Sequence, residues 1–425
     1  VRLQKNKPTP SVLFCTPFLN YPPKGGPELR SYNSIKALAA ISNIQVARIV
    51  YPGQSSDESL KLDLRNIGVS DFFEIIAPKH QLIVSLKYCG YKKRASQAVN
   101  VLFQLVTFYH FRRFKNISEE IIRIARDRPD LVIWISFANL FVPAISRIKK
   151  KNRSMKIVSD TDSVWSSFIL RGVPYKPIPK RIFSLVLGNH KRYEEKKMVR
   201  LSDIVTAVSE VDQEKYQEMS NNTNKILCAY NVIDLDFYQV PVTNDQGAQR
   251  KVVLLAGSFG QKHSPMDHGA RWFINEVWPM IKASRHDAVL HIVGKGSETF
   301  LETLPENGIF VHGKVESIVS FMAEATVSIV PLWFESGTRF KILEAGALFT
   351  PVVTTSLGAE GLLVSNCNDL IQADSPVKFA QGVLHFLNQV PHDLKANNLN
   401  KVIRENYDLE TLQLQCLKIF EKLQI

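Results

Sequence analysis

Cysteine is scarce in this chain. The five at positions 15, 89, 228, 367 and 416 are odd in number and scattered. They form no CxxC pair and no metal-ligand spacing, so neither a disulfide framework nor a structural zinc site is expected, and a reducing compartment fits. Long apolar runs are also missing. No stretch reaches the roughly 18 uninterrupted apolar residues that a membrane-spanning helix needs. The opening VRLQKNKPTPSVLFCTPF has too short an apolar stretch for a secretory leader and no small-residue cleavage pattern. The expected location is therefore cytoplasmic. Acidic residues are absent from two long stretches. Residues 75–118 hold eight Lys or Arg and no Asp or Glu, and residues 163–193 hold six and none. Both are rich in aromatic and aliphatic side chains.

What is present is a basic chain of net charge +13. The two acid-free stretches read as basic amphipathic segments that contact an anionic membrane surface, making the protein peripheral at the inner face. A solvated basic face over a core helix is the plainer alternative. No nucleic-acid recognition module accompanies the charge, so nucleic acid is not an expected partner.

At 425 residues the chain exceeds one ordinary core, and two domains are expected. Short β-branched runs alternate with helical patterns at 12–16, 44–51, 131–136, 156–159 and 203–209. A second series lies at 251–256, 288–293, 309–312, 326–331 and 351–355. Strand–helix alternation with nearly continuous apolar strands implies parallel sheets covered on both faces. The polar, turn-rich QVPVTNDQGAQR separates the series. The expected organisation is a first domain over 1–238, a linker over 239–250, a second domain over 251–404 and a closing amphipathic helix within 405–425. Two such domains leave a cleft at the carboxyl ends of their strands, where ligands bind.

Five segments sit just after strands. Tyr21-Pro22-Pro23-Lys24-Gly25-Gly26 is a loop whose glycines, Gly25 and Gly26, allow close backbone approach; a plain strand–helix turn is the alternative. Asp160-Thr161-Asp162 ends another strand. Its carboxylates are candidates for catalysis or acceptor binding, with metal chelation or a helix cap at Asp162 as competing readings. Gly257 to His263 joins glycines to Lys262 in a loop suited to a diphosphate; His263 is more simply incidental. Gly294-Lys295-Gly296 imitates a dinucleotide fingerprint, but Thr299 stands at the third glycine, so NAD is rejected and a turn at the cleft edge is expected.

The richest segment is VPLWFESGTRFKILEAGALFTPVVTTSLGAEGL, residues 330–362. It reads as strand, tight turn, helix, strand and Gly-rich loop. Ser336-Gly337-Thr338 makes the turn. Phe340, Leu343 and Ala347 recur at helical spacing, and Glu344 shares their face, where a carboxylate needs a partner. The helix opens on free backbone N–H groups beside Arg339 and Lys341, a place for phosphate. A carboxylate within and an anion site at the end suit a nucleotide sugar.

Gly337-Thr338-Arg339-x-Lys341-x-x-Glu344-Ala345, then Pro351-Val352-Val353 and Gly358-x-Glu360-Gly361, resembles the donor-binding unit of family 4 (group 1) glycosyltransferases. TPFLNYPPKGGPELRSYNSIKALA is similar to that family's first loop and helix. Asp203 to Glu210 resembles the strand before the hinge, and Asn231-Val232-Ile233-Asp234 its N-G-x-D with valine for glycine. The resemblance implies a GT-B fold: two Rossmann-like domains facing across a cleft, with the last helix crossing back to the first. It implies a retaining transfer of a sugar from a nucleoside diphosphate to a glycan or lipid-linked acceptor, without an obligatory metal or other cofactor. Glu344 would hold the ribose hydroxyls. Gly337, Thr338, Arg339 and Lys341, helped by Gly257 and Lys262, would hold the diphosphate, and Asp160 or Asp162 would supply the acid or base. The family's common E-x7-E pairs Glu344 with position 336, and that residue is Ser336; Glu335 is one place away. A nucleotide-sugar epimerase on the same fold and a non-catalytic sugar-binding module are the alternative readings.

Overall fold

The computed structural model describes residues 9–50, 58–77, 109–239, 251–259, 264–364, 367–389 and 396–425. Its strands form two sheets. The first holds β1 (Ser11–Thr16), β2 (Asn43–Val50), β3 (Asp71–Ile76), β4 (Leu131–Ser136), β5 (Lys156–Asp160), β6 (Ile204–Ala207) and β7 (Ile226–Cys228), in the order β3-β2-β1-β4-β5-β6-β7. The second holds β8 (Lys251–Ala256), β9 (Ala288–Val293), β10 (Ile309–Gly313), β11 (Val327–Val330), β12 (Val352–Thr354) and β13 (Leu370–Gln372), in the order β10-β9-β8-β11-β12-β13. Every ladder in both sheets is parallel. The order reverses direction beside β1 and again beside β8. Each reversal opens a crevice at the carboxyl ends of the strands.

Parallel strands need long crossovers, usually helices, and so become buried on both faces. Successive residues of one strand accordingly enter opposite cores. Leu13, Ile133 and Ile135 join one cluster, while Val12, Phe14, Val132 and Trp134 join the other. The second domain has one continuous core in which Leu254, Ile292, Ile329, Leu343 and Val353 are fully buried.

Three strands were not expected: β3, β7 and β13. Each is the outermost strand of its sheet; β3 is interrupted by Glu74 and partly exposed, and β7 and β13 are only three residues long, too short to stand out as apolar runs. The 203–209 expectation shortens to β6 because Ser209 already serves the next element. Its hydroxyl accepts from Asp212 N at 3.1 Å, capping the Glu210–Gln217 helix. The expected linker, all but Gln239, and residues 78–108 of the first basic stretch lie outside the described residues.

The Leu409–Lys422 helix, capped by Asp408 onto Thr411 N, returns to the first domain. Leu412, Cys416, Ile419 and Phe420 are buried beside Val12, Phe14 and Trp134. The Trp134 and Phe420 rings meet edge to face at 6.4 Å. Each large apolar side chain buried in this way contributes about 1.5–3 kcal/mol. Tyr407, just before the helix, ties the domains together. Its carbonyl accepts from Ile233 N at 2.9 Å and its hydroxyl accepts from Leu363 N at 2.8 Å.

Candidate functional site

The second-domain wall of the cleft is built where β8, β9 and β11 end. Past β11, Leu332 to Arg339 loops across the strand ends, and Gly337 takes a φ of 79°. A Cβ there would lie 2.5 Å from the carbonyl oxygen of Asp162. Only glycine permits both the backbone angle and this approach to the opposite domain. Ser336 is buried with its hydroxyl unpaired among the described residues. Thr338 Oγ1 accepts from Asn231 Nδ2 at 2.8 Å.

The Phe340–Ala347 helix then starts without a side-chain cap; Ile342 N donates to the Arg339 carbonyl at 3.0 Å, and no side chain among the described residues occupies the N–H groups of Phe340 and Lys341. It buries Ile342, Leu343, Ala345 and Ala347. Lys341 and Glu344 point the other way, half buried. Lys341 Nζ rests 2.7 Å from Met266 Sδ and 2.9 Å from where a Cβ on Gly257 would stand. Among the described residues it forms no ion pair. Burial lowers its pKa to about 8, an effect Glu335 and Glu344 offset only in part. Glu344 Oε1 accepts from the Tyr238 hydroxyl at 3.0 Å, and burial raises its pKa although this bond and Lys341 oppose the shift.

Arg339 behaves differently from Lys341. It is almost fully buried and its guanidinium turns back onto its own loop. Nη1 donates to the carbonyl of Gly337, and Nη2 donates to that of Leu357 at 3.3 Å. Its most direct work is therefore to hold the turn and the Gly-rich loop together. Lys262 and His263 lie outside the described residues.

The first-domain wall carries the two aspartates, and they differ in kind. Asp160 ends β5 inside the protein. Its Oδ1 accepts from Arg30 Nη2 and from Thr206 Oγ1, each at 2.5 Å. Arg30 also donates to Asn231 Oδ1 at 2.7 Å. A buried relay thus runs from Thr206 through Asp160, Arg30 and Asn231 to Thr338, linking the first sheet to the opposite turn. Asp162 lies two residues on, at the cleft. It accepts from the Trp165 indole at 2.9 Å, and burial pushes its pKa up to about 6 against that bond and Arg30. Asp162 is not a backbone cap: the Trp165–Arg171 helix is entered through Val164, and Glu195 accepts from Ser166 N. The two carboxylates serve different partners, Arg30 and Trp165. Among the described residues no group of three or more His, Cys, Asp or Glu is placed to hold a metal ion.

Further contacts close the cleft. Gly26 abuts the Phe340 ring, so the Gly25-Gly26 loop lies against the start of the second-domain helix. Arg171 makes a bidentate pair with Glu360 at 2.6 and 2.7 Å and donates to the Glu335 carbonyl at 3.0 Å. Tyr175 stacks on Phe334 at 4.8 Å. Gly294 and Gly296 shape the turn after β9, with Gly294 N donating to Gly313 O and Gly294 packed on Gly257. Arg30, Asn231, Tyr238 and Arg171 were not singled out in the sequence. Asn231 lay within a matched motif, but the partners that give it a role are remote.

Residues 250–389 match the family model described as "Glycosyl transferases group 1". The second domain is therefore similar to that of group 1 glycosyl transferases. Nearly the whole chain aligns with solved structures of the GT-B glycosyltransferase fold, among them these two. One is HepE of Anabaena, solved in complex with UDP and glucose: TM-score 0.63, 14% identity, covering 97% of this chain and 99% of that one. The other is sucrose-phosphate synthase from Thermosynechococcus elongatus: TM-score 0.65, 14% identity, covering 97% and 99%. At these identities the likeness concerns the fold. An uncharacterized 44.6 kDa protein in the cps region of Klebsiella pneumoniae is 25% identical over 150 residues, 33% of this chain and 39% of that protein. The match thus spans about two-fifths of that curated relative. Among the described residues no helix is long and apolar enough to cross a membrane.

Proposed function

We propose that the chain is a glycosyltransferase that moves a sugar from a nucleoside-diphosphate sugar to a glycan or lipid-linked acceptor, with retention and without an obligatory metal. One observation carries the reading. Lys341, unpaired among the described residues, stands at the uncapped start of the Phe340–Ala347 helix, one turn from Glu344. A diphosphate at that helix end would meet Lys341 and free N–H groups, and a ribose one turn on would meet Glu344. The helix dipole and the cation stabilise the negative charge that gathers on the leaving diphosphate as the anomeric bond stretches. Asp162, across the cleft at Gly337, is better placed than Asp160 to exchange a proton with an acceptor hydroxyl, because Asp160 is committed to Arg30. The binding of UDP and glucose by HepE and the cps-region relative support a nucleotide-sugar donor and cell-surface polysaccharide as the destination.

Thermal-shift measurements with UDP, GDP and ADP and their sugar conjugates, with and without chelator, test this reading. A ligand bound only by the folded state raises Tm by mass action. The expected result is a clear rise with one nucleotide, unaffected by chelator and lost in Glu344→Ala. No rise with any of them would sink the donor site.

A further inference from the structure

The Ile178–Leu201 helix is inside out over its first half. Ser184 and Gly188, one turn apart, face the protein. A Cβ on Gly188 would lie 2.6 Å from Leu170 Cδ2, so a small residue is what lets the helix pack on Trp165–Arg171. The outward face carries Ile178, Ile182, Leu185 and Val186, at the i, i+4, i+7 and i+8 positions of one stripe, with Tyr193 further along it. Their exposures are 71%, 64%, 45%, 54% and 66%. An isolated exposed aliphatic is ordinary, but a continuous helical stripe marks an interaction surface.

Charge decides the partner. Residues 163–193 contain no Asp or Glu, and the exposed Lys180, Arg181 and Arg192 lie on the same helix beside the stripe, Arg181 also donating to the carbonyls of Lys176 and Pro174. Pairing with a second copy through the same patch would bring two sets of cations face to face. An anionic bilayer accepts both components, aliphatics at the headgroup boundary and arginines on lipid phosphates.

We propose that this stripe docks the protein on an anionic membrane surface. The neighbouring Arg171 and Tyr175 already touch Glu335, Glu360 and Phe334 of the second domain. Docking therefore brings the cleft beside the lipid. On the glycosyltransferase reading above, from which this clause alone derives, it selects a lipid-linked acceptor.

Vesicle flotation tests the docking, using phosphatidylcholine alone or with about one-third phosphatidylglycerol. The wild-type protein should float with the anionic vesicles and not the neutral ones, and less so in about 0.5 M salt. The doubly substituted Ile182→Asp, Val186→Asp protein should bind at least about tenfold more weakly, with its Tm and its nucleotide-induced shift unchanged. Absence of wild-type binding to anionic vesicles, or equal binding by the variant, overturns the proposal. A solution dimer abolished by the same substitutions assigns the stripe to a second copy and overturns it too. Nucleotide binding is read separately, so lost docking with an intact nucleotide shift counts against this proposal alone.

Discussion

The two walls of the cleft treat charge in opposite ways. On the second-domain wall Lys341 is held without an ion pair among the described residues and its pKa is lowered to about 8. On the first-domain wall both terminal nitrogens of the Arg30 guanidinium are taken up by Asp160 and Asn231, and the carboxylate at the cleft, Asp162, has a pKa raised by burial to about 6. One wall keeps a positive charge without an ion pair; the other pairs its cation internally and leaves a carboxyl whose pKa lies well above the usual carboxylate range. On the proposed transferase reading the difference is a division of labour: the second wall would answer an anionic leaving group, and the first would offer a proton-exchanging group to an acceptor hydroxyl.

The largest expected effect breaks the second wall. Lys341→Ala should lower kcat/KM for the donor by about 10²–10³, the usual cost of losing one preset charge-stabilising contact. Glu335→Ala should change it by no more than about threefold, the equivalent of a surface ion pair. Arg339→Ala should also impair turnover, but it alone should lower Tm, because it leaves buried carbonyls unpaired at about 1–3 kcal/mol. Equal turnover losses across all three, or an unchanged Tm in Arg339→Ala, would dissolve the distinction between the anion contact and the loop clamp.

Next in size is the first wall. Asp162→Asn should reduce transfer by about 10² if this group exchanges the proton, while its amide oxygen still accepts from Trp165. The linkage has a definite sign. A carboxyl whose folded pKa is raised from 3.8 to about 6 ionises more easily in the unfolded chain. Its cost to stability therefore grows as pH rises through that window and persists above it. Asp162→Asn should raise Tm above pH 6 and match the wild type below about pH 3 in calorimetry. A variant less stable than the wild type at neutral pH would refute the assignment. The smallest effect concerns the contact that joins the walls. Arg171→Ala removes the pair with Glu360, worth about 1 kcal/mol or less for a half-exposed bridge. It should leave Tm nearly unchanged while small-angle scattering shows a wider separation of the domains; an identical scattering profile would deny the pair a part in closure.

Much of this was legible in the sequence where local pattern and tertiary role coincide. The strands at 131–136, 251–256 and 288–293 appear with the expected bounds as β4, β8 and β9, since a strand covered on both faces must be apolar throughout. The edge strand β3 was missed because exposed positions and Glu74 interrupt its apolar run, and β7 and β13 because three residues carry too little pattern. The turn, Lys341 and Glu344 share a single strand–helix unit, so their proximity could be read from spacing. Arg30 and Asn231 stand 201 residues apart, and no local spacing joins them. Arg339 shows a different limit: spacing marks a cation beside a helix start, but only the structure shows that its Nη1 and Nη2 donate to backbone carbonyls while Nε has no partner among the described residues.

The returning Leu409–Lys422 helix has a consequence for how the molecule is made. It supplies Leu412, Ile419 and Phe420 to the cluster that contains Val12 and Phe14. During synthesis the ribosome delivers these side chains only after the whole second domain has emerged. The first domain must wait with part of its apolar surface open, and it is completed last although it is begun first. Assembly here is closed by a late-arriving strap rather than domain by domain, and that waiting period is when the nascent chain most needs protection from aggregation.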